Sequence, residues 1–282
     1  MKLARYGSRG KEKPALVDSE GNLRDLSGHT TDISSDLLSE QRLGDIAALD
    51  FGTLPVVNDP DVRYGPPVAT IGKIICIGLN YSDHAREVGL PLPKEPTIFM
   101  KGCRPTGAND PVRLPRNSEK GDWEAELGII IGEAGIYISS EDALKHVAGF
   151  CVVNDLSERS YQMDRGGQWT KGKSFPGFAP VGPWLVTKDE VPNVESLPIW
   201  LEVNGHRYQD GNTSNLVFGV REIVSYVSNF CALEPGDLIA TGTPAGVGLG
   251  QKPPIFLKPG DEVTLGIEGL GTQRQKIAAW DS

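Results

Sequence analysis

No stretch of this 282-residue chain approaches the roughly 18 consecutive apolar residues of a membrane-spanning helix. The opening residues, Met1-Lys2-Leu3-Ala4-Arg5-Tyr6, do not lead into the apolar core of a secretion signal. A cytoplasmic location is therefore expected. Cysteine is scarce and scattered: Cys76, Cys103, Cys151 and Cys231 form no CxxC pair, which removes a zinc ribbon or a dithiol redox centre. Three of the four sit in apolar surroundings and read as buried thiols. There is no Lys/Arg block, and the net charge is −9 with a pI near 5.0, so nucleic acid is not an expected partner. A small anionic ligand stays compatible with that charge, because the field at a bound metal overrides the global one. Repeats and low-complexity segments are also missing.

What the chain has in quantity is turn formers, 34 glycines and 21 prolines. They favour many short strands over long helices. Hydrophobic residues at 39% and charged residues at 23% are ordinary for a soluble globular protein. The length permits one large domain, or one large and one small. Residues 1–68 read as a small N-terminal α+β module, with short strands at 3–5, 14–18 and 22–26 and one or two short helices within 32–49. The breakers Asn58-Asp59-Pro60 and Gly65-Pro66-Pro67 close it. Residues 69–282 read as a mostly β unit. Strands are expected at 74–78, 97–101, 123–131, 150–155, 182–187, 198–204, 237–241 and 262–267. Helices are expected at 82–88, at 140–147 with Ser140 as its N-cap, and at 219–230.

The most informative stretch is Asp122-Trp-Glu124-Ala-Glu126-Leu-Gly128, which leads into Ile129-Ile130-Ile131. Side chains two apart on a strand share a face, so Glu124 and Glu126 point the same way. Two parallel carboxylates on a buried strand repel each other unless a cation lies between them. A second apolar run, Phe150 to Asn154, ends in Asp155. Three carboxylates without a nearby Cys or His suit Mg²⁺ or Mn²⁺ better than zinc. The competing reading is an exposed edge strand with Asp155 as a helix cap.

Other stretches carry chemistry less sharply. In Asn80-Tyr-Ser-Asp-His84-Ala-Arg-Glu87-Val-Gly89 a helix capped by Ser82 or Asp83 and ended by Gly89 would put His84 and Glu87 on one face. A carboxylate that orients an imidazole makes a general base; on a surface the same pair does little. Arg159 and Gln162 stand three apart after Asp155 and can hold a carboxylate or carbonyl, or can be ordinary polar residues of a helix start. The loop Gln168 to Gly177 offers Lys171 and Lys173 as groups to stabilise an enolate, and spacing does not choose between them. Thr241-Gly242-Thr243-Pro244-Ala245-Gly246-Val247-Gly248 can present backbone N–H groups to a ligand, or can be a tight inter-strand loop.

Taken in order, Asn80-Tyr81…His84…Glu87, Glu124-x-Glu126, Asn154-Asp155, Gly172-Lys173-Ser174-Phe175 and Thr241-Gly242-Thr243-Pro244-x-Gly246-Val247-Gly248 resemble the fumarylacetoacetate hydrolase family over roughly residues 70–282. The resemblance implies a mixed β-sandwich roll, a homodimer, and Mg²⁺ or Mn²⁺ held by Glu124, Glu126 and Asp155. It implies a His84–Glu87 pair on a mobile lid, Lys173 as the catalytic lysine, and Arg159, Gln162 and Thr243 facing the substrate. The chain departs from the full-length animal enzyme, which has a large SH3-like N-terminal domain and a further metal aspartate. Residues 157–184 are more similar to the subgroup that cleaves sugar-derived 2,4-diketo acids, such as 2,4-diketo-3-deoxy-rhamnonate or -fuconate.

The expected reaction is hydrolysis of a carbon–carbon bond in such a keto acid, giving pyruvate and a short carboxylic or hydroxy acid. Three alternatives stand beside it. One is oxaloacetate decarboxylation, which needs no attacking water. Another is ureidoglycolate lyase chemistry, and the last is sugar-acid binding without turnover.

Overall fold

The computed structural model describes residues 1–281. Its centre is the antiparallel pair Ala125–Ile131 and Val147–Asn154, every residue of which is buried. The unbroken apolar run at 129–131 follows from that position: a strand covered on both faces has no outward side to make polar. These strands belong to an eleven-stranded sheet. Its main path runs from Leu23–Asp25 through Lys13–Val17, Lys2–Tyr6, Trp184–Thr187, the central pair, Leu238–Ala240 and Ile74–Gly78 to Thr97–Met100. A second sheet of five strands orders as His206–Asn212, Pro198–Val203, Glu262–Ile267, Gly271–Ala278 and Val112–Arg113.

The large sheet has two cores. Leu127, Ile129, Phe150 and Val152 share one with Ile199, Leu201, Leu265 and Ile267 of the second sheet, which gives the sandwich. Ile130, Cys151, Val153 and Leu238 point the other way and pack on Leu3, Leu16, Leu37 and Leu38 from the N-terminal residues. The mostly β mixed-sheet architecture is the expected one. The N-terminal strands join the same sheet as the central pair: Lys2–Tyr6 pairs antiparallel with Trp184–Thr187.

Most expected elements lie within a residue or two of their positions. Three readings need correction. Residues 140–147 do not form an α-helix; only Ala143–His146 winds, as a 3₁₀ turn with Asp142 rather than Ser140 at its N-cap position. Cys103 and Cys231 are only partly buried, leaving two fully buried thiols. The strands His206–Asn212 and Gly271–Ala278 had no counterpart among the expected elements.

Candidate active site

The central pair ends where the chemistry gathers. Val153 stands opposite Glu126 and Asn154 opposite Ala125, and the Asp155 N–H donates to the Glu124 carbonyl at 2.9 Å. This register brings Glu124, Glu126 and Asp155 together, with one oxygen from each lying within 4.8 Å of the others. All three are buried. The edge-strand reading is thereby removed, since these strands are central.

Two of the three carboxylates have cationic partners. Lys173 Nζ donates to Glu124 Oε2 at 2.6 Å and to Asp155 Oδ2 at 2.7 Å. Arg159 pairs with Glu124 Oε1 at 2.7 Å, and Lys101 with Asp155 Oδ1. Burial alone would raise the Glu124 carboxyl, but Lys173 and Arg159 bring it down to about 2. Glu126 is the exception. It accepts from the Gly242 N–H at 2.9 Å and has no ion-pair partner among the described residues. Burial, then Asp155 and Glu124, push its carboxyl well above the usual range. Three hard oxygen donors, one of them an unneutralised carboxylate, fit a divalent cation, which would supply the missing positive charge.

The fold also separates the two lysines. Lys173 lies buried at the end of the short helix Thr170–Lys173, and Asp155 and Glu124 hold its ammonium above the usual range against the burial that would lower it. Lys171 turns away and donates to the Arg165 carbonyl at 2.7 Å.

His84 and Glu87 lie on the helix Ser82–Glu87, above the carboxylates. Neither Ser82 nor Asp83 is its N-cap; that position is the buried Tyr81, with no side-chain cap. Glu87 uses both carboxylate oxygens. Oε2 meets His84 Nδ1 at 3.0 Å, and Oε1 accepts from the Gly246 N–H at 2.8 Å. One side chain therefore orients the imidazole and fastens the helix to the glycine loop. Gly246 has φ +107°, and a Cβ there would fall 1.9 Å from the Tyr208 carbonyl oxygen, so only glycine presents this N–H.

Arg159 and Gln162 share the helix Arg159–Met163 and touch, Nη1 to Oε1, at 3.0 Å. Arg159 Nε also donates to Asp122 Oδ2 at 2.7 Å, while its Nη2 is buried with no partner. The Thr243 hydroxyl donates to the Ala125 carbonyl at 2.9 Å and accepts from Gln209 Nε2 at 2.7 Å. Thr243 thus lines the cavity with its hydroxyl proton already committed.

Two residues escaped the sequence reading. Lys101, fully buried, follows the strand Thr97–Met100 and pairs with Asp155; its signal was a lone lysine ending an apolar strand. Asp122, two residues before Glu124, accepts from Arg159 Nε and from the N–H groups of Gly248 and Leu249 at 2.7 and 3.0 Å. It ties the arginine to the glycine loop. Above the polar floor opens a cavity of about 120 Å³ with Trp169 as one wall. Trp169 leans edge-on against Phe99 at 5.3 Å and lies where a Cβ on Gly78 would be, 2.3 Å from its ring.

Residues 73–278 match the family model described as fumarylacetoacetate (FAA) hydrolase C-terminal. A Burkholderia multivorans protein with a provisional hydrolase name is 54% identical over 281 residues, spanning 99% of each chain. The solved 5-carboxymethyl-2-hydroxymuconate delta-isomerase of Mycobacterium smegmatis is 30% identical with a TM-score of 0.78, over 99% of each chain. The maleylpyruvate hydrolase of Sphingobium sp. SYK-6, solved with manganese(II) and pyruvate, is 28% identical with a TM-score of 0.82, also over 99% of each chain.

Proposed function

The chain belongs to the fumarylacetoacetate hydrolase family, and from that premise we propose that it hydrolyses the C3–C4 bond of a 2,4-diketo acid. The observation that carries this reading is the single cavity shared by His84, the carboxylates Glu124 and Glu126, and Lys173. A water-activating histidine and an enolate-stabilising cation there face the same small volume.

The overall change is R–CO–CH₂–CO–COO⁻ plus water to R–COOH plus pyruvate. A divalent ion held by Glu124, Glu126 and Asp155 would supply Lewis-acid stabilisation of the negative charge that develops on the 2-oxo acid head. Formal charges support an anionic head: with such an ion, Asp122, Glu124, Glu126 and Asp155 are outweighed by the ion, Lys101, Arg159 and Lys173. Glu87 holds His84 Nδ1, which leaves Nε2 to take a proton from the water that adds to C4. When the C3–C4 bond breaks, its electron pair moves onto C3 and the adjoining carbonyl oxygen. Lys173 Nζ and Arg159 Nη2 would be the donors to that charge. Protonation at C3 then completes pyruvate. The pyruvate and manganese in the maleylpyruvate hydrolase structure support this head-group assignment.

A second reading is favoured by the isomerase neighbour: the same base removes a carbon-bound proton and returns it elsewhere, with no water added. Chelator-stripped protein resupplied with Mg²⁺ or Mn²⁺ should release pyruvate from a 2,4-diketo acid and place one ¹⁸O from labelled water in the acid product. Rearrangement without ¹⁸O uptake would favour isomerisation, and no reaction of either kind would refute the proposal. A homodimer and a cytoplasmic location belong to the same proposal; sedimentation at micromolar concentration tests the first, and among the described residues no helix is long and apolar enough to cross a membrane.

A further inference from the structure

The cavity changes character with depth. Its floor is polar and buried: Glu124, Glu126, Arg159, Gln162 and Lys173 are each at most 5% exposed. Its upper wall and rim are Val88, Leu90, Met163, Trp169, Val247 and Leu249. Leu90 is 49% and Met163 43% exposed, which places them at the mouth. Of the lysines and arginines, only Lys173 and Arg159 line the cavity, and both are paired with carboxylates at the floor.

We infer that this enzyme takes substrates whose acyl tail is short and apolar, with neither a distal carboxylate nor a run of hydroxyls. The inference rests on the diketo-acid reading for the head and concerns only the tail. The head is held at the floor by charge, so the remainder of the molecule runs along the aliphatic wall. A run of hydroxyls buried there would lose water and find only the Trp169 indole N–H to replace it, and a distal carboxylate would meet no cation. A short alkyl tail loses only its contact with water. The size limits the tail: a cavity of about 120 Å³, smaller than the roughly 150 Å³ that admits one benzene, must hold the head as well, so the tail is short. Leu90 and Met163 would gain a partner for apolar surface now facing solvent. The sugar-derived tail suggested by residues 157–184 finds no matching wall.

The test uses the full chain loaded with Mg²⁺ and needs no turnover. Calorimetry measures the Kd of pyruvate, 2-oxobutanoate, 2-oxopentanoate and 2-oxohexanoate, against 2-oxoglutarate and a 2-oxo-3-deoxy sugar acid. Affinity should rise about fourfold for each added methylene that is buried, and the carboxylate and polyhydroxy tails should give no gain over 2-oxobutanoate. Leu249→Asn and Met163→Gln should each flatten the alkyl series more than they weaken pyruvate. A flat alkyl series, tighter binding of 2-oxoglutarate or the sugar acid, or no binding of any 2-oxo acid overturns the inference. A parallel turnover assay with butanoylpyruvate and a polyhydroxy diketo acid separates the two claims. Graded binding without hydrolysis refutes the reaction and keeps the tail assignment; preferred hydrolysis of the polyhydroxy compound does the reverse.

Discussion

Replacing Glu126 by glutamine should stabilise the metal-free protein and abolish its response to metal. Glu126 has no ion-pair partner among the described residues, and burial, Asp155 and Glu124 all raise its carboxyl. A carboxyl whose folded value is raised contributes stability below its unfolded value near 4.5, and that contribution is lost as pH rises toward the folded value. At neutral pH the native protein therefore bears a cost. The group can always escape by taking up a proton, at about 1.4 kcal/mol per pH unit above 4.5, so the cost at pH 7 is at most about 3.5 kcal/mol. Glutamine removes it and keeps a carbonyl to accept from the Gly242 N–H. At about 2–4 °C per kcal/mol for a chain approaching this size, Glu126→Gln should melt several degrees above wild type after chelator treatment at pH 7. Its melting temperature should also change less between pH 5 and 8. Wild type should gain about 2.7 kcal/mol when Mg²⁺ is supplied at a hundred times its Kd, and the variant should gain little. Scanning calorimetry of both proteins, with EDTA and with Mg²⁺, reads all of this. A variant less stable without metal that keeps the Mg²⁺ response would show that the repulsion and the site are both misassigned.

His84→Ala should lower the rate of pyruvate release from diketo acids by about 10²–10⁴, the usual weight of a general base, while the Mg²⁺-induced rise in melting temperature persists; an unchanged rate would reduce the His84–Glu87 pair to structure. Gly246→Ala should speed hydrogen exchange over residues 84–92, because a Cβ 1.9 Å from the Tyr208 carbonyl displaces the N–H that holds Glu87; unchanged exchange there would mean the helix is fastened by something else. Lys101→Met should cost about 3 kcal/mol in urea unfolding, the order expected for removing one partner of a buried pair with Asp155, and a loss below about 1 kcal/mol would leave Lys173 as the sufficient partner.

The strands the sequence hid share a cause. In Gly271–Ala278 the inward positions include Gln273 and Gln275, and in His206–Asn212 the one buried residue is Gln209. Period-two hydrophobicity is absent from both, because the inward side chains are amides. Each is satisfied by distant groups: Gln273 by the Val152 and Gly182 carbonyls, Gln275 by Asn154 and Ala108, Gln209 by Ala125, Thr243 and Pro244. The expected caps, Ser140 and Ser82 or Asp83, failed for a smaller reason, since propensity at a cap is local and weak beside packing.

By itself the sequence determined the central strands and the carboxylate face they carry. An apolar run read as buried strand, Glu124 and Glu126 two apart read as one face, and both follow from the chain's own period. The family order of motifs added His84, Glu87 and Lys173. Tertiary structure decided which charges meet. That Lys173 rather than Lys171 reaches Asp155, that Lys101 joins it from 54 residues away, that Asp122 binds Arg159 and that Glu87 holds the Gly246 N–H are contacts between segments no local period connects. Their partners are set by strand register and loop closure across the sheet. A buried charge needs a counterpart, but which residue supplies it depends on where the chain returns.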